Sequence, residues 1–303
     1  MRVAVYLPLF ASLIFAVGWP GLAVRRLPPA VGAWTLTLGS ALCGAGAIWS
    51  LTLLSATLLD DIMPDRYPTI GVISDPDPVN DLVGLAALGL LVAGCVRLVV
   101  DLRGRREIHR DLHRLCAERA TGLVVLADPT PQAFAVPGRG GHIVVSSGML
   151  AALSLPERRV LIAHERAHLA AGHHWHTGIV RAAATLNPLL FRLGSTSRYL
   201  CERWADETAA RTVGDRRLAA TSLARAALAA ADAPDAAAPP ATLAYHGSGI
   251  GDRVAALQAP PARPHHTTIV ALLGLAALVV ASDIHATGDF LRMMLPFLHA
   301  TEL

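Results

Sequence analysis

The residues best suited to chemistry in this chain are His164 and His168, which flank Glu165 in the sequence His-Glu-Arg-Ala-His. On an α-helix, two histidines four residues apart lie on the same face, so both imidazoles can bind one metal ion. Glu165 points roughly 100° away around the helix, where its carboxylate can take a proton from a water that the metal activates. The pattern is typical of a zinc hydrolase; the alternative is a surface helix that happens to carry two histidines.

A catalytic zinc site also needs a third protein ligand and one open position for water. Glu202 and Asp206 are four residues apart on a later predicted helix and therefore share one face. We expect Glu202 to complete a ligand set of two histidines and one glutamate. Asp206 can accept a hydrogen bond from the free ring nitrogen of a ligand histidine and so fix its tautomer. An isolated pair of acids would favour a solvated helix face, but the histidine motif earlier in the chain reverses that preference.

The composition indicates that membrane helices help to position these residues. The chain has 303 residues, of which 53% are hydrophobic and only 16% are charged, whereas a soluble protein is about a quarter charged. Its mean hydropathy is +0.46. Four apolar stretches predict membrane spans, at residues 3–24, 31–59, 82–100 and 267–282. The fourth is short, so a buried helix is its alternative.

Arginine placement predicts how these spans are oriented. Arg25 and Arg26 follow the first span, and the loop after the second is acidic. A dense basic set follows the third span and comprises Arg103, Arg105, Arg106, Arg110 and Arg114. The positive-inside rule then puts the N-terminus and the 60–81 loop outside and residues 101–264 in the cytosol. We therefore expect a multi-pass protein of the cell membrane with a cytosolic catalytic domain and an outer C-terminus.

Other features of the composition set limits on compartment and partners. All 26 basic residues are arginine, which together with abundant alanine, glycine and proline suggests a high-GC bacterium. The net charge of +3 is too small to favour direct binding to nucleic acid. No pair of cysteines has a metal-binding spacing, so we expect free thiols in a reducing setting for Cys43, Cys95, Cys116 and Cys201.

The cytosolic part predicts a small sheet followed by helices. Short strands are expected at 123–126, 133–136 and 142–146, after a basic amphipathic helix at 103–120. Ser154 and Glu157 form a predicted capping box, so the metal-motif helix starts there and runs to about residue 172 or beyond. Breaks are expected at 187–188 and 194–196, and further helices at 197–213 and 216–231. The 142–146 strand could be an edge strand that pairs with substrate or, equally, a plain core strand.

The predicted fold is a mainly α membrane protein with about four transmembrane helices and a cytosolic α+β, zincin-like metalloprotease domain containing a small β-sheet. Residues 1–100 would hold three transmembrane helices and residues 101–232 the zinc metallopeptidase domain. Residues 233–264 would be an Ala/Pro-rich tether carrying one short helix at about 252–258. Residues 265–303 would hold the fourth transmembrane helix and a C-terminal tail.

Residues 128–210 resemble the gluzincin membrane metallopeptidases, which include the β-lactam sensor–transducer family and, more distantly, the heat-shock and CAAX-prenyl membrane proteases. The matching pieces are 133–137, 142–150, the His164–His168 motif and the Glu202–Asp206 motif. The stretch 253–257, with Pro260-Pro261 before the last span, is also similar to the sensor–transducer family. The resemblance implies one Zn²⁺ per chain held by His164, His168 and Glu202, with Glu165 as catalytic base. A complete sensor carries a penicillin-binding domain after its last span, whereas this sequence ends at Leu303, so we do not expect direct β-lactam sensing.

The resulting expectation is an integral-membrane zinc endopeptidase that cleaves a protein or peptide at the cytosolic face of the lipid bilayer. By analogy with the sensor family, its role would be regulatory, with a winged-helix repressor as candidate substrate. A membrane-protein quality-control protease and a non-catalytic scaffold with a structural metal site are the alternatives. Sequence leaves the second oxyanion donor open among Tyr199, Arg211, His173, His174 and His176. The 173–176 histidines are expected to continue a polar helix end near the membrane rather than to bind a second metal.

Overall fold

A computed structural model describes residues 4–56, 58, 80–116, 122–138, 140–232, 249–260 and 266–299. After a short 3-10 turn at Ala4–Tyr6, the described helices are, in chain order, α1 (Leu7–Arg26), α2 (Pro29–Ala56), α3 (Asp81–Cys116), α4 (Ser147–Ala152), α5 (Leu155–Ala170), α6 (His173–Leu186), α7 (Leu193–Val213), α8 (Arg216–Ala231), α9 (Ile250–Gln258) and α10 (His266–His299). The strands are β1 (Gly122–Leu126), β2 (Ala133–Val136) and β3 (His142–Ser146), close to the three predicted ones. The predicted 60–81 acidic loop lies almost wholly outside the described residues, as do 117–120 of the predicted basic helix.

Within the described ranges, three helical segments are long and apolar enough to cross a membrane, namely Ala4–Arg26, Pro29–Ala56 and Asp81–Arg114. They contain the first three predicted spans where those are described. Large apolar side chains on their outer faces are exposed, among them Phe10 at 62% and Leu85 at 60%. Because soluble monomers rarely expose wide apolar surfaces, these helices suggest a membrane protein. The fourth span falls in α10, and its crossing of the bilayer stays a prediction, as do the domain boundaries.

The third span and the basic helix after it form one continuous helix, α3, of 36 residues. It extends past the apolar stretch and brings Leu112 to the wall of a cavity beside the histidine motif. The third candidate span and one wall of the cavity beside the histidine motif therefore belong to the same helix.

The sheet has the strand order β1-β3-β2, with β3 parallel to β1 and antiparallel to β2. All five residues of β3 are buried. Of the two alternatives left open for this strand, the edge strand is wrong, because β1 and β2 occupy its two sides, and the core strand is confirmed. Among the described strands, the edge positions belong to β1 and β2.

Two of the predicted helix limits were wrong. The metal-motif helix α5 ends at Ala170, because Gly172 takes the left-handed conformation with φ of 63° and is the N-cap of α6. The break expected at 194–196 does not occur, since these residues form the first turn of α7. The chain already turns between Asn187 and Arg192, through a short 3-10 helix, so glycine in the first turn of α7 is tolerated.

Helix α6 lies along α2 and connects the metal motif to the three helices that could cross a membrane, α1, α2 and α3, which we call the membrane-like helices. Gly44 of α2 allows this approach, because a Cβ atom there would come 3.1 Å from the Cβ of Ala183. Helix α7 returns along the same surface, where Leu200 packs against Gly32. These contacts hold α6, which carries His173 and His176, and α7, which carries Glu202 and Asp206, against α2.

The predicted tether contains an ordered, packed helix, α9, which is two residues longer than the expected 252–258. Leu257 is buried in a cluster with residues of α5, α7 and α8. Arg216 fastens the end of α9, since its guanidinium donates to the carbonyl oxygens of Ala256, Leu257 and Ala259 at 2.9–3.1 Å. Residues 249–260 are thus not a free linker, and 233–248 and 261–264 lie outside the described residues.

Candidate metal centre

The first two candidate ligands are positioned by α5. Its capping box is present, and the backbone N–H of Ser154 donates to Glu157 at 2.8 Å. This start sets the helical phase that puts His164 and His168 on one face, with their Nε2 atoms 3.1 Å apart. Their rings meet edge to face, at a centroid distance of 4.8 Å. The two nitrogens therefore converge on one point, as the i, i+4 spacing predicted.

The structure brings Glu202 of α7 to the same point. Its Oε2 lies 3.4 Å from His164 Nε2, and its Oε1 lies 3.4 Å from His168 Nε2. Ligand atoms of the three residues lie within 4.8 Å of one another, the one such group of three found among the described residues. These residues were proposed as ligands from sequence, and the structure places all three together.

Glu202 Oε1 also shows that these residues fit a metal ion. It is buried and has no hydrogen-bond partner among the described atoms. A buried carboxylate oxygen without a partner is costly, and a cation would satisfy it. Two imidazole nitrogens and one carboxylate form a ligand set that zinc uses in catalytic sites, with a fourth position left for water.

Asp206, one turn beyond Glu202, supports the first histidine from behind. Its Oδ1 lies 3.1 Å from His164 Nδ1, the nitrogen that does not face Glu202. A hydrogen bond there keeps the proton on Nδ1 and leaves Nε2 free to bind a metal. This is the position that the predicted supporting role of Asp206 requires.

Arg253 is a site residue that sequence reasoning did not identify as such. From α9 it donates to Asp206 through Nε and Nη2 at 2.7 and 2.8 Å, and its Nη1 lies 3.1 Å from Glu202 Oε2. It is only 6% exposed. The sequence signal was present in the 253–257 stretch, but that stretch was assigned to the tether.

The charges of this group shift the pKa values of its members strongly. Burial acts to raise the pKa of Glu202, but the hydrogen bond to His164 and nearby positive charges outweigh it and lower that pKa. Burial acts to lower the pKa of His164, while hydrogen bonds to Asp206 and Glu202 raise it to about 10. The protein therefore holds a strongly anionic pair of carboxylates at this point, which is where a cation would bind.

Glu165 lies next to the ligands but in a different environment. It is 8% exposed, and its carboxylate accepts the backbone N–H of Ala135 in β2. Burial, with a smaller contribution from the charge of Glu202, raises its pKa to about 7. A base whose pKa lies near neutrality is well matched to proton transfer at physiological pH.

The 173–176 histidines do not continue α5, so that expectation was wrong. His173 and His176 start α6 and are both 3% exposed. His173 Nδ1 lies 2.8 Å from His168 Nδ1 and so supports the second histidine from behind. Burial, followed by the charge of His168, lowers the pKa of His173 to about 3, so it stays neutral. No local sequence pattern signals this contact, because it depends on the turn at Gly172.

The site opens into a cavity of about 540 Å³. Two of the five candidate oxyanion donors, His173 and His174, line it, as does Arg253. Tyr199 instead packs against Gly249, and Arg211 is exposed and bonds within its own helix. One wall of the cavity is formed by β2, from Ala133 to Ala135. The edge of the sheet nearest the histidines is thus β2 rather than β3.

Residues 105–192 match the family model of Peptidase family M48. The match contains the histidine motif but ends before Glu202. No curated protein and no solved structure matches the chain. Together with the geometry of the three candidate ligands, the family match supports placing the chain in a metallopeptidase family.

Proposed function

We propose that this protein is an integral-membrane, zinc-dependent endopeptidase that hydrolyses peptide bonds at the cytosolic membrane face. The observation that carries the proposal is the convergence of His164, His168 and Glu202 beside a buried Glu165 at the wall of an open cavity. The match to a peptidase family over residues 105–192, which contain His164, Glu165 and His168, supports it.

The roles of the residues follow from their positions. His164, His168 and Glu202 would hold the ion, and a bound zinc ion supplies Lewis acidity towards a water and a peptide carbonyl. Glu165 accepts a proton from the attacking water and then delivers it to the nitrogen of the departing amine. Asp206 and His173 keep the ligand imidazoles in the tautomer that leaves Nε2 available.

Strand β2 is the place where we expect the substrate to bind. It pairs with β3 on one side, and residues 133–135 line the cavity on the other. An extended peptide can pair with such an edge through main-chain hydrogen bonds. Because Ala135 also donates to Glu165, a peptide lying along β2 would present its carbonyl groups close to the base.

The location rests on the apolar helices and on the arginines that follow the third of them. Helix α3 leads directly from the candidate span to the cavity, so the cavity belongs on the same side as the arginines at 103–114. By the positive-inside rule that side is the cytosol.

The decisive experiment measures zinc content and peptide cleavage by the purified full-length protein and by two variants. Glu165→Gln should keep the metal and lose cleavage by a factor of about 100 or more, since it removes the base. Glu207→Gln on α7 is the matched control, because Glu207 pairs with Arg216 instead of facing the ligands. A wild-type protein without zinc, or equal cleavage by Glu165→Gln, would overturn the proposal.

A regulatory role, with cleavage of a winged-helix repressor, is the finer part of the proposal and rests on the resemblance to the sensor–transducer family. It predicts cleavage of a folded repressor at one site. A quality-control protease would instead degrade misfolded membrane proteins at many sites. Incubating the purified protein with both kinds of substrate and mapping the products separates the two roles.

A further inference from the structure

The candidate metal centre is joined to membrane-like helix α2 by a buried polar contact. Thr37 of α2 lies with its hydroxyl oxygen 2.8 Å from Nδ1 of His176. The same hydroxyl donates to the carbonyl oxygen of Ala33 at 2.7 Å. Thr37 is 2% exposed and His176 is 3% exposed, so water does not replace either residue as the hydrogen-bond partner of the other.

These two contacts determine the tautomer of His176. A hydroxyl carries one proton, and the carbonyl of Ala33 can only accept, so Thr37 donates to Ala33 and accepts from His176. The proton of the neutral His176 imidazole therefore lies on Nδ1. Trp34 packs against the His176 ring in a T-shaped arrangement, at a centroid distance of 4.6 Å, and also restricts the orientation of that ring. Helix α2 thus fixes both the tautomer and the orientation of this histidine.

His176 in turn takes part in the packing that holds His173. Both rings contact Trp204 of α7, with centroid distances of 4.9 Å for His173 and 5.6 Å for His176. The outer nitrogen of His173, Nε2, is buried without a hydrogen-bond partner among the described atoms. Since no hydrogen bond fixes that end of the ring, its orientation depends on packing against Trp204 and His176.

The orientation of His173 matters for the proposed metal site. A metal on Nε2 of His168 requires the proton of that ring to lie on Nδ1, which then donates to Nδ1 of His173. If the His173 ring rotated, its Nδ1 would no longer be in position to accept the hydrogen bond from Nδ1 of His168. The contacts therefore run from Thr37 to His176, then through Trp204 to His173, and end at His168.

We propose that Thr37 of α2 is a positioning residue for the metal site, acting on ligand His168 through His176 and His173. The inference rests on the proposed metal site. It gives the membrane-like helices a route by which a displacement of α2 changes metal binding, because the route begins inside α2 itself.

The test measures metal binding instead of cleavage. The full-length protein is loaded with Co²⁺, and its visible absorption spectrum and the rate of Co²⁺ loss to excess EDTA are recorded. Thr37→Val removes the acceptor for His176 at nearly constant volume, and we expect about threefold to tenfold faster Co²⁺ loss with a changed spectrum. Thr37→Ser keeps the hydroxyl and should behave as the wild type.

Thr35→Val is the matched control on the same helix. Its hydroxyl is also buried, but it bonds to Gly32 and Trp19 and not to the histidines. We expect Co²⁺ binding in this variant to match the wild type. Adding Thr37→Val to a His176→Phe background should cause no further change, since the partner is already gone.

Several results would overturn the positioning role. These are unchanged Co²⁺ loss in Thr37→Val, equal effects of Thr35→Val and Thr37→Val, or full additivity with His176→Phe. A wild-type protein that binds Co²⁺ and cleaves no peptide would defeat the proposed function while this test still stands. A wild-type protein that cleaves, with Thr37→Val unaltered in Co²⁺ loss, would defeat the positioning role alone.

Discussion

Replacing Arg253 by methionine should destabilise the metal-free protein strongly. The guanidinium neutralises two buried carboxylates, those of Asp206 and Glu202, through three contacts of 2.7–3.1 Å. Methionine keeps much of the side-chain volume and removes the charge. Taking one partner from a buried ion pair costs about 3–5 kcal/mol, because the remaining charge is left uncompensated. At about 2 °C per kcal/mol for a chain of this size, the melting temperature should fall by about 6–10 °C.

Zinc should relieve part of this loss. When a metal binds, it neutralises Glu202, which is one of the two carboxylates that Arg253 serves. Asp206 keeps its contact with His164 in both states. We therefore expect the loss in the zinc-loaded protein to be about half that in the metal-free protein.

The assay is thermal unfolding in detergent, with and without saturating zinc, for the wild type, Arg253→Met and Arg216→Met. Arg216 is the matched control, because it also pairs with a glutamate and binds the carbonyl oxygens of α9, but it lies away from the ligands. The fall in melting temperature caused by Arg216→Met should be the same with and without zinc. The reasoning is refuted if the Arg253→Met loss does not depend on zinc, or if it is no larger than a surface substitution would give.

Three further predictions concern the ligand, the helix start and one close contact. Glu202→Gln should weaken zinc binding by more than about 100-fold in a chelator competition, since it removes a ligand. Burial opposes a low pKa at Glu157, yet hydrogen bonds from its capping box lower that pKa below the ordinary value of 4.5. The stability that it contributes is therefore present above pH 4.5 and lost as the pH falls further, and melting curves of Glu157→Gln should lack this loss. Gly148→Ala should cost about 1–3 kcal/mol in denaturant unfolding, because its Cβ would overlap the carbonyl oxygen of Pro129. Gly251→Ala, where the space is open, should cost nothing.

Local patterns in the sequence were sufficient for the element that carries the first two candidate ligands. The capping box set the start of α5, and the i, i+4 spacing placed His164 and His168 side by side. The three strands were found within one residue, because each is a short apolar run bounded by turn residues. The apolar stretches likewise identified three helices able to cross a membrane.

Features that depend on tertiary packing were not predictable in the same way. The order of strands in the sheet is set by how β1 and β2 pair with β3, and nothing within 142–146 specifies it. Glycine and serine at 194–195 are typical of a break, yet the chain had already turned at Asn187. The contact of His173 with His168 depends on the left-handed Gly172, at which the helix expected to continue ends and α6 begins.

Arg253 shows most clearly why a site can be read from sequence only in part. Composition assigned its surroundings to a tether, since residues 233–264 are rich in alanine, proline and glycine. Its partner Asp206 is 47 residues earlier in the chain, so no periodicity links them. The electrostatics would have pointed to it, because two carboxylates buried at one point carry more negative charge than the single protonated His164 offsets, His168 being neutral. A further buried cation is needed to balance these charges in the absence of metal, and Arg253, in the first turn of α9, supplies it. The metal-free protein therefore requires Arg253 for a reason that the catalytic motif alone does not contain.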